Sequence, residues 1–268
     1  MNILIIGKGF VGDAVGFVLS KIHTIFWHDP AKNEHYDISI LDDIDGVILC
    51  LPTPADDCGS CDDSLILQYY GDIRAVSKTL HILIKSTTSI ETLNMLQCED
   101  DEYLTFSPEF LVANNSRDDM FNAPFFIYSS TSITSKEFWV DIFRGCVKNI
   151  ENSIYCDSMV EAGFVKYTIN SFLAIKVTFM NEVYDLFNIM TNNGGNFNNV
   201  VALMSMDKRI GSSHMQVPGP DGKYGWGGAC LPKDTSEFSN LAGLAEMKFT
   251  VLDSAIQANR THRIKDIT

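Results

Sequence analysis

Hydrophobic and polar positions follow two alternating periods through the first half of the chain. Short runs of β-branched and large apolar residues, Asn2 to Ile6, Thr24 to Trp27, Gly46 to Leu51, Ile82 to Lys85, Tyr103 to Phe106 and Phe125 to Tyr128, read as strands. Between several of them apolar residues recur every three to four positions, as in Asp63 to Thr79 and Ser135 to Gly145, the spacing of amphipathic helices. This alternation predicts an α/β fold, a Rossmann-like doubly wound and mainly parallel sheet with helices on both faces, over residues 1–156. The character changes near Asp157. A helical pattern runs from there to Asn192-Asn193-Gly194-Gly195, some thirty residues against a mean globular helix of about 11 to 12. Its apolar residues (Phe164, Tyr167, Phe172, Leu173, Phe179, Met180, Val183, Phe187) lie nearly all round the helix. That predicts burial against its own domain on one side and a second copy on the other, a homodimer through helix 157–192. A short helix near Asn198 to Met206, a glycine-rich loop from Gly211 to Ala229 and two closing helices complete an all-helical domain over 157–268.

Composition narrows the function classes. With 268 residues, 46% of them hydrophobic, the chain can bury a sizeable core, which excludes a disordered or disulfide-only protein. Its formal charge of −14, from 34 acidic against 20 basic residues and no Lys/Arg cluster, argues against nucleic acid and against an acidic membrane surface as partner. The longest apolar stretches, such as Phe172 to Met180, are broken by Lys176 and fall far short of the roughly 20 residues a bilayer span needs. The opening Met1-Asn2-Ile3-Leu4-Ile5-Ile6 reads as a first strand and not as a signal peptide. Seven cysteines cannot all pair with one another, and Cys50 and Cys146 sit in apolar settings; the expectation is a soluble cytoplasmic protein with reduced thiols.

Three constellations carry chemistry. Gly7-Lys8-Gly9-Phe10-Val11-Gly12 follows the first strand and opens a helix. In that context Gly7 permits a tight turn, Gly9 lets backbone approach a pyrophosphate, Gly12 allows close packing, and the helix N-terminus stabilises the anion. Asp29, about 20 residues on, suits a ribose diol and repels a 2′-phosphate, so NAD is expected over NADP; a glycine turn without ligand is the alternative. In Gly225-Trp226-Gly227-Gly228-Ala229-Cys230-Leu231-Pro232-Lys233-Asp234, Pro232 suits a first helical turn. Cys230 then stands just before a helix N-terminus, where thiolate is favoured, and Asp234 lies one turn away, able to orient or deprotonate a water. Lone cysteines beside glycine-rich loops are also common as small buried hydrophobes. Lys166 and Asn170, four residues apart, stack on one face of the long helix, where an ammonium and an amide hold an oxyanion; snorkelling or a salt bridge to Glu161 is the alternative for the lysine.

Together these pieces resemble the UDP-glucose and GDP-mannose dehydrogenase family. The resemblance is carried, in order along the chain, by the Gly7 to Gly12 motif, Cys50-Leu51-Pro52-Thr53-Pro54, Lys85-Ser86-Thr87 and Ser107-Pro108-Glu109-Phe110-Leu111. It continues through Lys166-Tyr167, Asn170-Ser171-Phe172-Leu173-Ala174, Asn181-Glu182, Asp207-Lys208-Arg209-Ile210-Gly211 and Cys230-Leu231-Pro232-Lys233-Asp234. It implies a four-electron, two-NAD oxidation of a nucleotide-sugar primary alcohol to a uronic acid, of the UDP-glucose to UDP-glucuronate type, through a Cys230 thiohemiacetal and thioester. Lys166 and Asn170 would stabilise oxyanions, Asp234 and Thr87 would hold the water, and Glu109 would act as base. The cofactor residues implied are Gly7, Gly9, Phe10, Val11, Gly12, Asp29, Pro52, Thr53 and Thr87. The substrate residues implied are Phe110, Leu111, Lys166, Asn170, Arg209, Tyr224 and Gly227, with Arg209 reaching a neighbouring subunit. No metal is implied.

Three departures accompany the likeness. Val112 and Ala113 stand where the family usually continues with Arg and a nearby Glu, the loop carrying Pro218-Gly219-Pro220-Asp221-Gly222-Lys223 is longer, and 268 residues leave no room for the family's third, nucleotide-holding domain. Cys58-Gly59-Ser60-Cys61 has no second Cys pair or His pair to complete a zinc set and reads as a variable surface loop, with a dithiol switch as the alternative. Two other functions compete: a two-electron hydroxyacid dehydrogenase of the related two-domain type, which uses a lysine without a cysteine, and a non-catalytic subunit that pairs with a full-length partner.

Overall fold

A computed structural model describes residues 1–39, 41–56 and 58–265. The chain divides into two compact units, residues 1–54 with 61–166, and residues 55–60 with 167–268. The divide falls inside the long helix, whereas the sequence pattern suggested 156/157.

The first unit runs β1 (Asn2–Ile6), α1 (Phe10–Leu19), β2 (Thr24–His28), β3 (Gly46–Leu49), α2 (Ser64–Val76), β4 (His81–Ile84), α3 (Ile90–Cys98), β5 (Leu104–Phe106), α4 (Ser116–Asn122), β6 (Phe126–Ser129), α5 (Ile133–Phe143) and β7 (Ser153–Cys156). Its seven strands lie in the order β2-β1-β3-β4-β5-β6-β7. All neighbours are parallel except β5 and β6, so the sheet is mainly parallel, as the alternating pattern predicts. Ile3 to Ile6, Val47 to Leu49 and Ile82 to Ile84 have almost no exposure, because helices cover both faces of a parallel sheet and every side chain of its central strands must be apolar. The core beneath α1 and α5 gathers Ile3, Ile5, Val15, Ile48, Trp139 and Phe143. The chain leaves β1 for β2 on one side and returns to place β3 on the other, which opens a crevice at the carboxyl ends of β1 and β3.

β1 has the expected bounds, and the other expected strands start or stop one or two residues from theirs, as β3 does at Leu49 and not Leu51. β7 was not expected. It is a four-residue edge strand with Ile154 53% and Tyr155 42% exposed, too short and too open for a periodic signal.

The second unit takes the remainder of α6 (Met159–Met190) with α7 (Phe197–Met204), α8 (Cys230–Leu244) and α9 (Thr250–Arg263). At 32 residues α6 is one continuous helix. A small core of Met180, Phe197, Met215 and Val217, flanked by Val183, Tyr184 and Phe187, holds its distal half. No helix among the described residues is long and apolar enough to cross a membrane.

Candidate active site

The turn from β1 to α1 is built for close approach. Gly7 takes φ +95°, in the left-handed region, and its N–H donates to the His28 carbonyl at 2.9 Å. A Cβ on Gly7 would stand 2.3 Å from the Cys50 carbonyl oxygen, and one on Gly12 would stand 2.0 Å from the Gly7 oxygen. Gly9 differs: a Cβ there meets nothing within 4 Å, and no side chain caps the helix at this position. Gly7 and Gly12 therefore serve the fold, while Gly9 leaves open space beside the N-terminal amides of α1, where Phe10 and Val11 are half-buried. Asp29 directly follows β2, and its carboxylate accepts the Lys8 N–H at 2.7 Å, which ties it to the turn. These residues fit the pyrophosphate and ribose of a dinucleotide.

The charge around this turn went unread in the sequence. Lys8 pairs with Glu34 at 2.5 Å, the Lys32 ammonium donates to the Lys8 carbonyl, and Arg117 pairs with Asp13 at 2.7 Å. The guanidinium of Arg117, through its hydrogen bond, holds the Asp13 carboxyl below the usual range. Lys8, Gly9, Asp13, Lys32 and Glu34 line a concavity of about 490 Å³, so two cations and two carboxylates border the place where an anion would enter. Lys8 lies inside the glycine motif, which is the signal that could have found it. Further along, the Thr53 hydroxyl donates to the Thr87 carbonyl at 2.8 Å, joining the loops after β3 and β4, and Pro52 is exposed beside it.

Glu109 and Lys166 form a buried ion pair. The Lys166 ammonium lies 3.2 Å from Glu109 Oε1 and donates to the Glu109 backbone carbonyl at 2.6 Å, the two side chains being 3% and 5% exposed. Glu109 Oε2 accepts the Leu111 N–H at 2.5 Å, which curls the loop round the carboxylate. The Phe110 ring lies 5.4 Å from the ammonium. The alternatives of snorkelling or pairing with Glu161 are thus corrected: the lysine's partner is 57 residues away, on the loop after β5. Lys85 from the end of β4 lies in the same buried region and donates to Ser107 Oγ at 3.1 Å.

In the second unit Asn170, one helical turn beyond Lys166 on α6, donates to Asp234 Oδ2 at 2.5 Å. Asp234 has no exposure and also pairs with Lys233 at 2.7 Å. Cys230 is the first residue of α8, not the residue before it, with Ala229 at the N-cap and no side-chain cap. It lies one turn before Asp234, at the positive end of the helix dipole. The glycine loop leading to it is pinned by Asn181, which belongs to the resemblance, and by Thr178 and Asn259, to which the sequence pattern assigned no role. Gly225 N–H donates to Asn181 Oδ1 at 2.9 Å, Trp226 N–H to Asn259 Oδ1 at 2.7 Å, and Trp226 Nε1 to Thr178 Oγ1 at 2.9 Å. Gly227 packs on Arg263, whose guanidinium a Cβ would approach to 2.7 Å. Tyr224 packs on Tyr184 with centroids 5.9 Å apart, and Arg209 stands 89% exposed, paired with Asp207 at 2.5 Å. Neither joins the Asn170–Asp234 group through any contact seen. Cys58 and Cys61 are not joined in a disulfide, the Cys61 thiol donates to Asp63 Oδ1 at 3.3 Å, and no cluster of three His, Cys, Asp or Glu suited to a metal occurs among the described residues.

Comparison with known proteins shows what the chain and its fold resemble. Residues 160–261 match the UDP-glucose/GDP-mannose dehydrogenase family, central domain. The chain is 26% identical to a UDP-glucose 6-dehydrogenase of Bacillus subtilis over 305 residues, covering 98% of this chain and 67% of that protein. A UDP-glucose dehydrogenase structure from Pyrobaculum islandicum superposes with a TM-score of 0.78 at 20% identity, covering 97% of this chain and 68% of that one. A 3-hydroxyisobutyrate dehydrogenase from Mycobacterium tuberculosis shares the fold at a TM-score of 0.76 and 15% identity, covering 99% of this chain and 96% of that one. The chain spans about two thirds of the length of the sugar-nucleotide relatives.

Proposed function

We propose, from the premise that residues 160–261 belong to the UDP-glucose/GDP-mannose dehydrogenase family as its central domain, that the chain oxidises a nucleotide-linked sugar with NAD. A primary alcohol becomes a carboxylate in two two-electron steps. The observation that carries this reading is Asp234, without exposure, locked on Asn170 and one helical turn beyond Cys230. A single oxidation of an alcohol needs a base and a hydride acceptor but no nucleophilic thiol. A cysteine with a fixed carboxylate and amide beside it is the equipment of thioester formation and hydrolysis.

The Gly7 to Gly12 turn, with the open space at Gly9, and Asp29 would hold NAD, which would supply the hydride acceptor. Glu109 takes the alcohol proton, directly or through a water, while the Lys166 ammonium and the Asn170 amide donate to the developing alkoxide. Cys230 Sγ attacks the aldehyde carbon, a C–S bond forms, and the oxygen takes up a proton to give a thiohemiacetal. Loss of the second hydride and a proton leaves a thioester on Cys230. Asp234 orients a water that adds to its carbonyl, the C–S bond breaks, and the carboxylate product leaves the thiol restored. Two NADH form per sugar. The covalent link keeps the aldehyde from escaping between oxidations.

The test is NADH yield at limiting sugar nucleotide, with mass spectrometry of Cys230→Ser, in which a slow ester should accumulate. Two NADH per sugar and a trapped adduct support the reading; one NADH per substrate with free product overturns it. The fold shared with a 3-hydroxyisobutyrate dehydrogenase motivates one other reading, a single two-electron oxidation, and that reading expects Cys230→Ala to leave turnover nearly unchanged.

We further propose a homodimer through α6. Phe172, Phe179 and Leu186 recur every seven residues and are 64%, 56% and 60% exposed, a heptad stripe that the described residues leave uncovered. Sedimentation should give a dimer that Phe179→Glu converts to monomer; a monomeric wild type refutes it.

A further inference from the structure

Lys85 is a buried charge that the proposed chemistry leaves unused. It follows β4, is 3% exposed, and stands among apolar side chains on the wall of a cavity of about 300 Å³ with Glu109, Phe110, Leu111, Met120 and Phe125. Its ammonium donates to Ser107 Oγ at 3.1 Å, and Ser107 is the root of the loop that presents Glu109. The other end of that loop is held by Lys166, on both the carbonyl and the carboxylate of Glu109. One carboxylate therefore shares its buried surroundings with two ammonium groups. The other titratable groups facing this region are Cys50 after β3 and, across the cavity, Asp119 of α4, whose carboxylate accepts Val112 N–H at 2.9 Å and the Asn115 amide at 2.8 Å. Burial pulls Lys85 down to about 8, with Cys50 and Glu109 raising it and Lys166 lowering it further. At neutral pH it is charged, and Lys85, Lys166 and Glu109 sum to one excess positive charge in a region of low dielectric.

We propose that Lys85 is a positioning residue: it anchors Ser107, and with it the Glu109 loop, and its charge makes the Glu109–Lys166 pair net positive toward an oxyanion forming on the substrate. This rests on the dehydrogenase reading above. A lysine that merely filled space would be replaced by an apolar side chain without effect on the chemistry, since its charge opposes burial.

The experiment compares the full chain with Lys85→Met and Ser107→Ala, and follows the ε-carbon resonance of Lys85, identified by its loss in Lys85→Met, in [13Cε]lysine-labelled protein. Lys85→Met should lower kcat roughly 10- to 100-fold while KM for NAD stays within about twofold, and Ser107→Ala, which keeps the charge, should lower kcat less. The Lys85 resonance should titrate near pH 8 in the wild type. Its midpoint should fall in Glu109→Gln and rise in Lys166→Met. A folded Lys85→Met with kcat within about twofold of wild type overturns the proposal. So does a Lys85 titration unmoved by Glu109→Gln. Absence of any sugar-nucleotide turnover in the wild type overturns the dehydrogenase reading instead, and the resonance in Glu109→Gln then decides whether Lys85 is coupled to Glu109.

Discussion

Lys85→Met should make the protein more stable at neutral pH while impairing it as an enzyme. Lys85 titrates at about 8 in the folded chain against an ordinary 10.5, chiefly because burial disfavours its charged form. At about 1.4 kcal/mol per pH unit, carrying that ammonium into the fold costs about 3 kcal/mol. Met has nearly the same length and no charge. The substitution forfeits the bond to Ser107, worth about 1 kcal/mol, so the net gain is about 2 kcal/mol. The sign depends on pH in a way that no packing effect imitates. Below about pH 8 the lysine is charged in both folded and unfolded chains, and the full cost is present. Between about 8 and 10.4 the folded chain has released the proton while the unfolded chain retains it, so wild-type stability rises with pH across that window. The advantage of Lys85→Met should accordingly be largest near pH 7 and vanish by about pH 10.5. Urea unfolding followed by circular dichroism at several pH values measures it as a difference, in which the other titrating groups cancel. A Lys85→Met protein less stable than wild type at pH 7, or an advantage flat with pH, refutes the reasoning.

Three further outcomes follow from contacts inside single units. Lys166→Met leaves the Glu109 carboxylate buried without its ammonium and should cost about 3 to 5 kcal/mol in urea unfolding; adding Glu109→Gln should recover part of that loss, and strict additivity would contradict the pairing. Gly12→Ala drives a Cβ to 2.0 Å from the Gly7 carbonyl and should lower the melting temperature sharply, whereas Gly9→Ala meets open space. Gly9→Ala should therefore melt within a few degrees of wild type yet bind NAD at least about tenfold more weakly by fluorescence titration; unchanged affinity would remove Gly9 from the cofactor site. Asn259→Ala strips partners from both the N–H and the carbonyl of Trp226, at about 1 to 3 kcal/mol for each buried group left unpaired, and a loss below about 1 kcal/mol would show that the glycine loop does not depend on it.

What was legible in the sequence divides along the distance over which each feature is decided. β1, β3 and β4 could be read because strands covered on both faces admit only apolar residues, and β7 could not, because an edge strand of four residues imposes no such rule. The Gly7 to Gly12 turn is local chemistry, so its spacing sufficed, and the spacing of Lys166 and Asn170 was equally local. Their partners were not. Glu109 lies 57 residues before Lys166 and Asp234 lies 64 after Asn170, so the helix could announce that it needed counter-groups without naming them, and the nearer Glu161 was a plausible wrong answer. Lys85 shows where a rule was available and unused. The sequence placed Lys85 at the end of the Ile82 to Lys85 strand and in the Lys85-Ser86-Thr87 run, with no role of its own. The carboxyl ends of parallel strands are, however, the rim of the ligand crevice, where the sheet's helices do not close over the chain. A charged residue at that end of a central strand meets the loops from its neighbours before it meets water. Here it meets the loop after β5 and lies on the wall of a mainly apolar cavity beside Glu109.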